Sequence, residues 1–449
     1  MSKDIRIKKG LDIKLVGEAQ KTISPGRRSE QYIIKPADFH LITPKMVVKE
    51  GAQFKAGDDL FYSKTDDRIR FVAPVSGTLA EIRRGAKRVI THIVITPDSE
   101  DQYKDFGSVE LASAKAEDLK KRFLASGLWP FIKQRPYDVI ANPDTAPRDI
   151  FISGYSTAPL APDYNLVLKD KQAELQAAVT ALSKMTEGSV HITVPKKGES
   201  PFAGLQDCVF HQAAGPHPAG NVGTQINKIG PVNKGETVWT VNAQDLVIIG
   251  HSLLKGTFDA TRVISVSGSS VKEPQYTQVK IGAQVASFLP ATAVEEDARL
   301  ISGNVLTGDA VEQDGSLGFY HNEFVAIPEG DDYEFFGWNK PVFDKISPTR
   351  ALTFSWMQPK KKYDLDTNTN GEHRAFVVTG SYEEVFPLDI YPLQILKACM
   401  VQDLDQMEAL GMYEVAPEDF ALTEFICVSK QPHQAIIRQG LDVMYKEIG

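Results

Sequence analysis

VVKEGAQFKAGDDLF (Val47–Phe61) and the later run FVAPVSGTLAEI (Phe71–Ile82) carry the reading that decides the fold of the first part of the chain. Each is a set of short apolar stretches broken by tight turns at Glu50-Gly51, Ala56-Gly57-Asp58 and Ser76-Gly77. Turn residues between alternating runs predict hairpins rather than helices. Val72, Val75, Leu79 and Ile82 can line a small sandwich core. Helical periodicity is lacking over roughly the first 100 residues.

Downstream the pattern changes to alternating α/β. Leu111, Ala112, Leu119, Phe123 and Leu124 predict an amphipathic helix ended by Gly127. DIFISGY (Asp149–Tyr155) predicts a short buried strand. A helix over 171–185 follows, with Leu175, Ala178, Val179 and Leu182 on one stripe, Asp170 as its cap and Gly188 beyond its end. Val190, Ile192 and Val194 then alternate along a strand, which completes a parallel β-α-β unit. His191 falls on the opposite face of that strand. From Arg262, RVISVSG, YTQVKIGA and RLISGNVLTGD predict a small β-grasp-like unit. In the last part a polar loop, Asp364–His373, precedes a helical finish. Its stripes are Ile395, Leu396, Leu404, Met407 and Leu410, stopped by Gly411, then Ile436, Ile437, Leu441, Met444 and Tyr445.

The expected fold class is therefore multidomain α+β and α/β. The expected divisions are 1–105 (sandwich), 106–255 (α/β), 256–330 (β-grasp) and 331–449 (mixed, helical). Composition fits a globular protein: of 449 residues, 42% are hydrophobic and 24% charged, with net charge −8. The longest basic run, Lys360-Lys361-Lys362, is too short for a nucleic-acid face. No apolar stretch approaches the length of a membrane span, and MSKDIRIKKG lacks the apolar core of a signal peptide. The three cysteines, Cys208, Cys399 and Cys427, are far apart and odd in number, which fits a reducing, cytoplasmic setting.

Recognisable chemistry is sparse. GPHPAGNVGTQIN (Gly215–Asn227) packs glycines, prolines and His217 into a turn-rich loop, but Asn221 and Val222 stand where a P-loop needs Lys and Ser/Thr. The loop is expected to be a shaped turn. His211 and His217 are spaced so that they could meet at a metal, yet no further ligand accompanies them and none is expected. No nucleophile elbow occurs, and SGSS near Ser267 reads as a hairpin turn. Cys427 has no neighbour that would activate it. Three cysteines without C-x-x-C cannot build a four-cysteine iron–sulfur cluster.

Three resemblances follow from these residues. The hairpins of 47–82 resemble the biotinyl/lipoyl-type barrel-sandwich domain, with Lys64 in the connecting turn but outside the setting in which such lysines are modified. The order of parts resembles the NqrA family, the large soluble piece of the sodium-translocating NADH:quinone oxidoreductase, over essentially the whole chain. IKKGLD (Ile7–Asp12), SGLWPFIKQRPY (Ser126–Tyr137), GPHPAGNVGTQI, RVISVSG, SLGFYHNEF (Ser316–Phe324), VFPLDIYP (Val385–Pro392) and FICVSK carry it. In FICVSK, Val428 and Ser429 depart from the usual F-x-C-P-G-K. One component of the Rnf complex is similar in domain order and itself resembles the flavin subunit of respiratory complex I. Where that relative has a glycine-rich flavin loop, this chain has Leu128, Trp129 and Pro130, which block close backbone approach.

The family resemblance implies a Rossmann-like second domain, a β-grasp domain of SLBB type, and a peripheral subunit on the cytoplasmic face of the bacterial inner membrane. It implies no cofactor in this chain. Flavins and iron–sulfur centres are expected in the partner chains of a complex of six subunits, with quinone as a substrate. Trp129, Phe131 and Lys133 are the expected quinone contacts, two aromatic walls and one polar group. A scaffold without a small-molecule site and a flavin dehydrogenase of the Rnf type are the competing expectations.

Overall fold

The structure is a computed structural model that describes residues 2–330, 335–352 and 354–449. Its widest element is a seven-stranded sheet, ordered Asp4–Arg6, Val209–Ala214, Val190–Pro195, Ile150–Ser153, Val238–Val241, Ile132–Arg135, Val139–Ile140. The first five strands pair in parallel, and the last two are antiparallel additions. Strand Ile150–Ser153 shows why the sheet is buried on both sides. Ile150 and Ile152 join the core beneath helix Gln172–Ser183, through Leu175, Val179 and Leu182. Phe151 points the other way, onto Ile226, Val232 and Val238. A parallel strand covered on both faces reads as a continuous apolar run, as this one does.

Helix Gln172–Ser183 connects two parallel neighbours, so the β-α-β unit is present. Its start differs from expectation. Asp170 is not its cap; it sits at φ 61°, and Lys171 precedes the first turn without a side-chain hydrogen bond. The helix at Gly127 is also shorter than its stripe, running Ala116–Ala125 and leaving Leu111 and Ala112 in the turn before it. Gly215–Asn227 is only half a loop: from Val222 it is a helix, Val222–Ile229.

Residues 32–97 build a four-stranded and a three-stranded sheet around Phe61 and Phe71, whose rings stack at 4.5 Å. Lys64 is exposed in the turn after strand Asp59–Ser63. A six-stranded sheet carries hairpin Thr261–Ser267/Gln275–Lys280 and strands Ala298–Ser302, Asp309–Val311 and Glu323–Pro328. The first 24 residues do not stay with the sandwich. Asp4–Arg6 enters the seven-stranded sheet, and Gln20–Ser24 pairs with Gln275–Lys280. Gly10, at φ 146°, lets the thread pass the 217 loop, where a Cβ would collide with the His217 carbonyl.

The C-terminal part packs helices Pro392–Val401, Leu404–Ala409 and His433–Ile448 around Ile395, Leu396, Met407, Ile437 and Leu441. The stripe from Ile395 to Leu410 is thus two helices, not one. Gln402 at φ 55° ends the first, and Asp403 caps the second by accepting from the Gln406 N–H at 3.0 Å.

Candidate functional site

Where the parallel strands end, a cavity of about 420 Å³ opens between the α/β sheet, the six-stranded sheet and the C-terminal helices. Open α/β sheets place ligands at the carboxyl ends of their strands, because helix starts and loops converge there. Ser153, Val241 and the loop residues His217, Gly220 and Asn221 supply that side of the wall. The antiparallel strand Ile132–Arg135 supplies another. Alternation along it sends Lys133 and Arg135 to one face, and both line the cavity together with Phe131 from the turn just before the strand.

Phe131 is buried and stacks on Phe319 at 5.1 Å. The Lys133 ammonium lies over the Tyr320 ring, 4.3 Å from its centroid. Tyr320 is held in place by donating its hydroxyl to the Pro130 carbonyl at 2.7 Å. Arg135 is fully buried and bonds Asp419 at 2.6 Å and the Glu414 carbonyl at 2.8 Å, so it locks the sheet to the C-terminal helices. A second buried pair, Arg262 and Asp245 at 2.7 Å, joins the six-stranded sheet to helix Asp245–Lys255. Arg262 also donates to Asn322, which donates to Asn242 at 2.9 Å.

Trp129 is not part of the wall. It is buried behind it, donates its indole N–H to the Ala141 carbonyl at 2.7 Å, and meets Trp239 edge-on at 5.4 Å. The turn Trp129–Phe131 fills its space with side chains and a proline, so the backbone there offers no cradle for a flavin phosphate.

Burial holds several cavity groups in or near their neutral forms at physiological pH. It pushes His217 down to about 4 and His321 down to about 3. Burial, with Asp419 nearby, pushes Glu418 up to about 7. Burial alone pushes Glu323 up to about 8. Sequence reasoning passed over Glu323, Asp245 and Arg262. The available signal was a charge next to an apolar strand run, in NEFVAIP and RVISVSG.

His211 and His217 do not meet. His217 receives the Thr157 hydroxyl at 3.1 Å, while His211 bonds His191 at 2.8 Å. Among the described residues no group of three or more His, Cys, Asp or Glu could hold a metal. Cys427 is buried, with its sulfur 2.9 Å from the Tyr382 hydroxyl. Burial pushes the Cys399 thiol up to about 12 and Cys208 up to about 11. Among the described residues no helix is long and apolar enough to cross a membrane.

Comparison with known proteins gives these features a family. Residues 5–98 match the NqrA N-terminal barrel-sandwich hybrid domain, 114–258 the NqrA second alpha/beta domain, and 263–313 the NQRA C-terminal domain, of SLBB type. The chain is 35% identical to the NqrA component of the Na(+)-translocating NADH-quinone reductase of Neisseria meningitidis serogroup B, covering 99% of this chain and 100% of that one. It is 36% identical to the counterpart from Rhodopirellula baltica, with 98% of each covered, and 35% identical to that of Haemophilus influenzae, with 99% and 100% covered. Two solved structures of NAD+-reducing [NiFe]-hydrogenase, air-oxidised and H2-reduced, match with TM-scores of 0.34 and 0.35 at 12% and 8% identity. They cover 49% and 68% of this chain and 50% and 70% of theirs, a likeness too distant to bear on function. With three successive domain matches and relatives at this identity over its full length, the chain belongs to the NqrA family of the Na(+)-translocating NADH-quinone reductase.

Proposed function

We propose that the chain works as the peripheral, cofactor-free NqrA component of a sodium-translocating NADH:quinone reductase, on the cytoplasmic face of the bacterial inner membrane. The observation that carries this reading is the end-to-end likeness to named NqrA relatives. Its middle domain is read as Rossmann-like, with flavins and iron–sulfur centres held by the partner chains of an assembly of six subunits. Purification of the chain from its own detergent-solubilised membranes tests this. Partner subunits and NADH:quinone reductase activity should accompany it, and a chain recovered alone, without activity, contradicts the assignment. Flavin absorbance in the isolated chain would favour the Rnf-type reading instead.

The cavity is read as a quinone site. A quinone head is a flat, neutral ring with two carbonyl acceptors, suited to an aromatic wall with a few polar donors. Tyr320 supplies ring surface, backed by the buried Phe131–Phe319 stack, and Lys133 supplies a donor beside it. Trp129 would support this wall from behind. A photoreactive quinone should label the 131–137 segment, and titration should saturate. Linear, non-saturating uptake identifies a scaffold without a site.

A further inference from the structure

Glu323 opens strand Glu323–Pro328 and lines the same cavity as Lys133 and Arg135 of strand Ile132–Arg135. It is only 8% exposed. Its Oε2 is closed off from solvent and has no hydrogen-bond partner among the described residues. Alternation places Glu323 on the face of Val325 and Ile327, which pack toward Leu160 and Val305. The Ala158, Pro162 and Asn304 portions of the wall lie on that side. Buried Asp245 and Asp419 each have a cation, Arg262 and Arg135, and buried Glu414 accepts from the Asn227 amide at 2.6 Å. Among the described residues Glu323 Oε2 has neither kind of partner.

A buried carboxyl without partners is costly as a charge and still costs about 1–3 kcal/mol as an unsatisfied acid, so it calls for a reason. The neutral acid holds one O–H donor; Oε2 is sealed, so a ligand meets the carboxyl through the small part of it that lines the cavity. We propose that the neutral Glu323 carboxyl donates a hydrogen bond to a carbonyl oxygen of the quinone bound in this cavity, an inference that rests on the quinone reading above.

The groups around Glu323 leave its titration readable. Tyr164 and Tyr276 feel its charge, and burial raises both phenols, Tyr164 beyond the range of ordinary buffers. His321 is neutral, and Asp245 is paired with Arg262. Glu418 also lines the cavity and is raised by desolvation and by Asp419 beside it, and the variants below separate its titration from that of Glu323.

The test is titration of the full chain with a short-chain, water-soluble quinone at pH 7 and pH 9. A donor that ionises near 8 is mostly neutral at the first pH and mostly charged at the second, so affinity should fall roughly tenfold. Glu323→Gln keeps a donor and cannot ionise. It should bind within about threefold of the parent at pH 7 and lose most of the fall at pH 9. Glu323→Leu should bind weakly at both, and its circular dichroism reports that it is folded. Saturable binding that is equal at the two pH values, or a fall that persists in Glu323→Gln, overturns the role of Glu323 and leaves the quinone reading standing. No saturable binding at either pH overturns both.

Discussion

Arg135 and Asp419 offer the sharpest test of how the C-terminal helices are held. The guanidinium and carboxylate are 2.6 Å apart with side-chain exposures of 2% and 0%. Arg135 also donates to the Glu414 carbonyl, and Asp419 also accepts from the Ala416 N–H at 2.8 Å. Replacing Arg135 with Met leaves Asp419 buried beside Glu418 without its cation. Breaking such a pair from one side costs about 3–5 kcal/mol, because a charge is stranded out of water. The double change Arg135→Met/Asp419→Leu removes both charges and should cost less than either single change. A multidomain chain has no single unfolding free energy, so amide hydrogen exchange in helix His433–Ile448 is the proper readout. At about 1.4 kcal/mol per decade, roughly two to three and a half decades of protection should vanish in each single variant. The double variant should recover at least one of them. If losses in the double equal the sum of the singles, the pair is not coupled and the account of this junction fails.

Three further expectations follow from geometry already described. Gly10→Ala should loosen the N-terminal thread by about 1–3 kcal/mol, read as faster proteolysis near residues 8–14, since its φ of 146° and the His217 carbonyl both exclude a Cβ. Acid should free strand Asp4–Arg6. His211 accepts the Lys3 N–H at 3.1 Å, bonds His191, and is pushed down from 6.5 to about 4, chiefly by burial. An unfolded His211 binds a proton in that window and the folded one does not. Stability is therefore complete above about 6.5 and is lost as pH falls toward 4, and exchange of the Asp4–Arg6 amides should rise over that range, less so in His211→Gln. Trp129→Phe removes the bond to the Ala141 carbonyl and should cost about 1–3 kcal/mol, while quinone labelling at Phe131 and Lys133 persists. Lost labelling with unchanged stability would return Trp129 to the binding wall.

Much of the architecture was legible because local signals and tertiary demands coincide. Ile150, Ile152, Leu175, Val179 and Leu182 announce a strand and a helix, and they are buried together in one core. Phe131 and Lys133 could be chosen because aromatic and polar side chains suited to a quinone stand close together in one short segment. Boundaries set by special backbone angles were less readable. Asp170 looks like a cap but adopts a left-handed conformation, and Gln402 splits a stripe that looks continuous. Partners far apart in sequence were not readable at all. Nothing local to Arg135 announces Asp419, and nothing local to Glu323 announces that it lacks a partner.

The thread formed by residues 4–24 bears on how the protein comes into being during synthesis. Its strands find partners at 212–214 and 275–277, and Leu15 bridges to Tyr363. At roughly 5–20 residues per second, residues 4–24 wait on the order of ten seconds to a minute for these neighbours. The sandwich of 32–97 can close during that wait, because the ladders between its strands are all internal, with only isolated bridges such as Tyr32–Ala283 left to form later. The thread cannot. Its apolar residues, Ile5, Ile7, Ile13 and Leu15, stay available to chaperones until late translation. The thread thus takes its place well after it is made, once the strands at 212–214 and 275–277 exist to receive it.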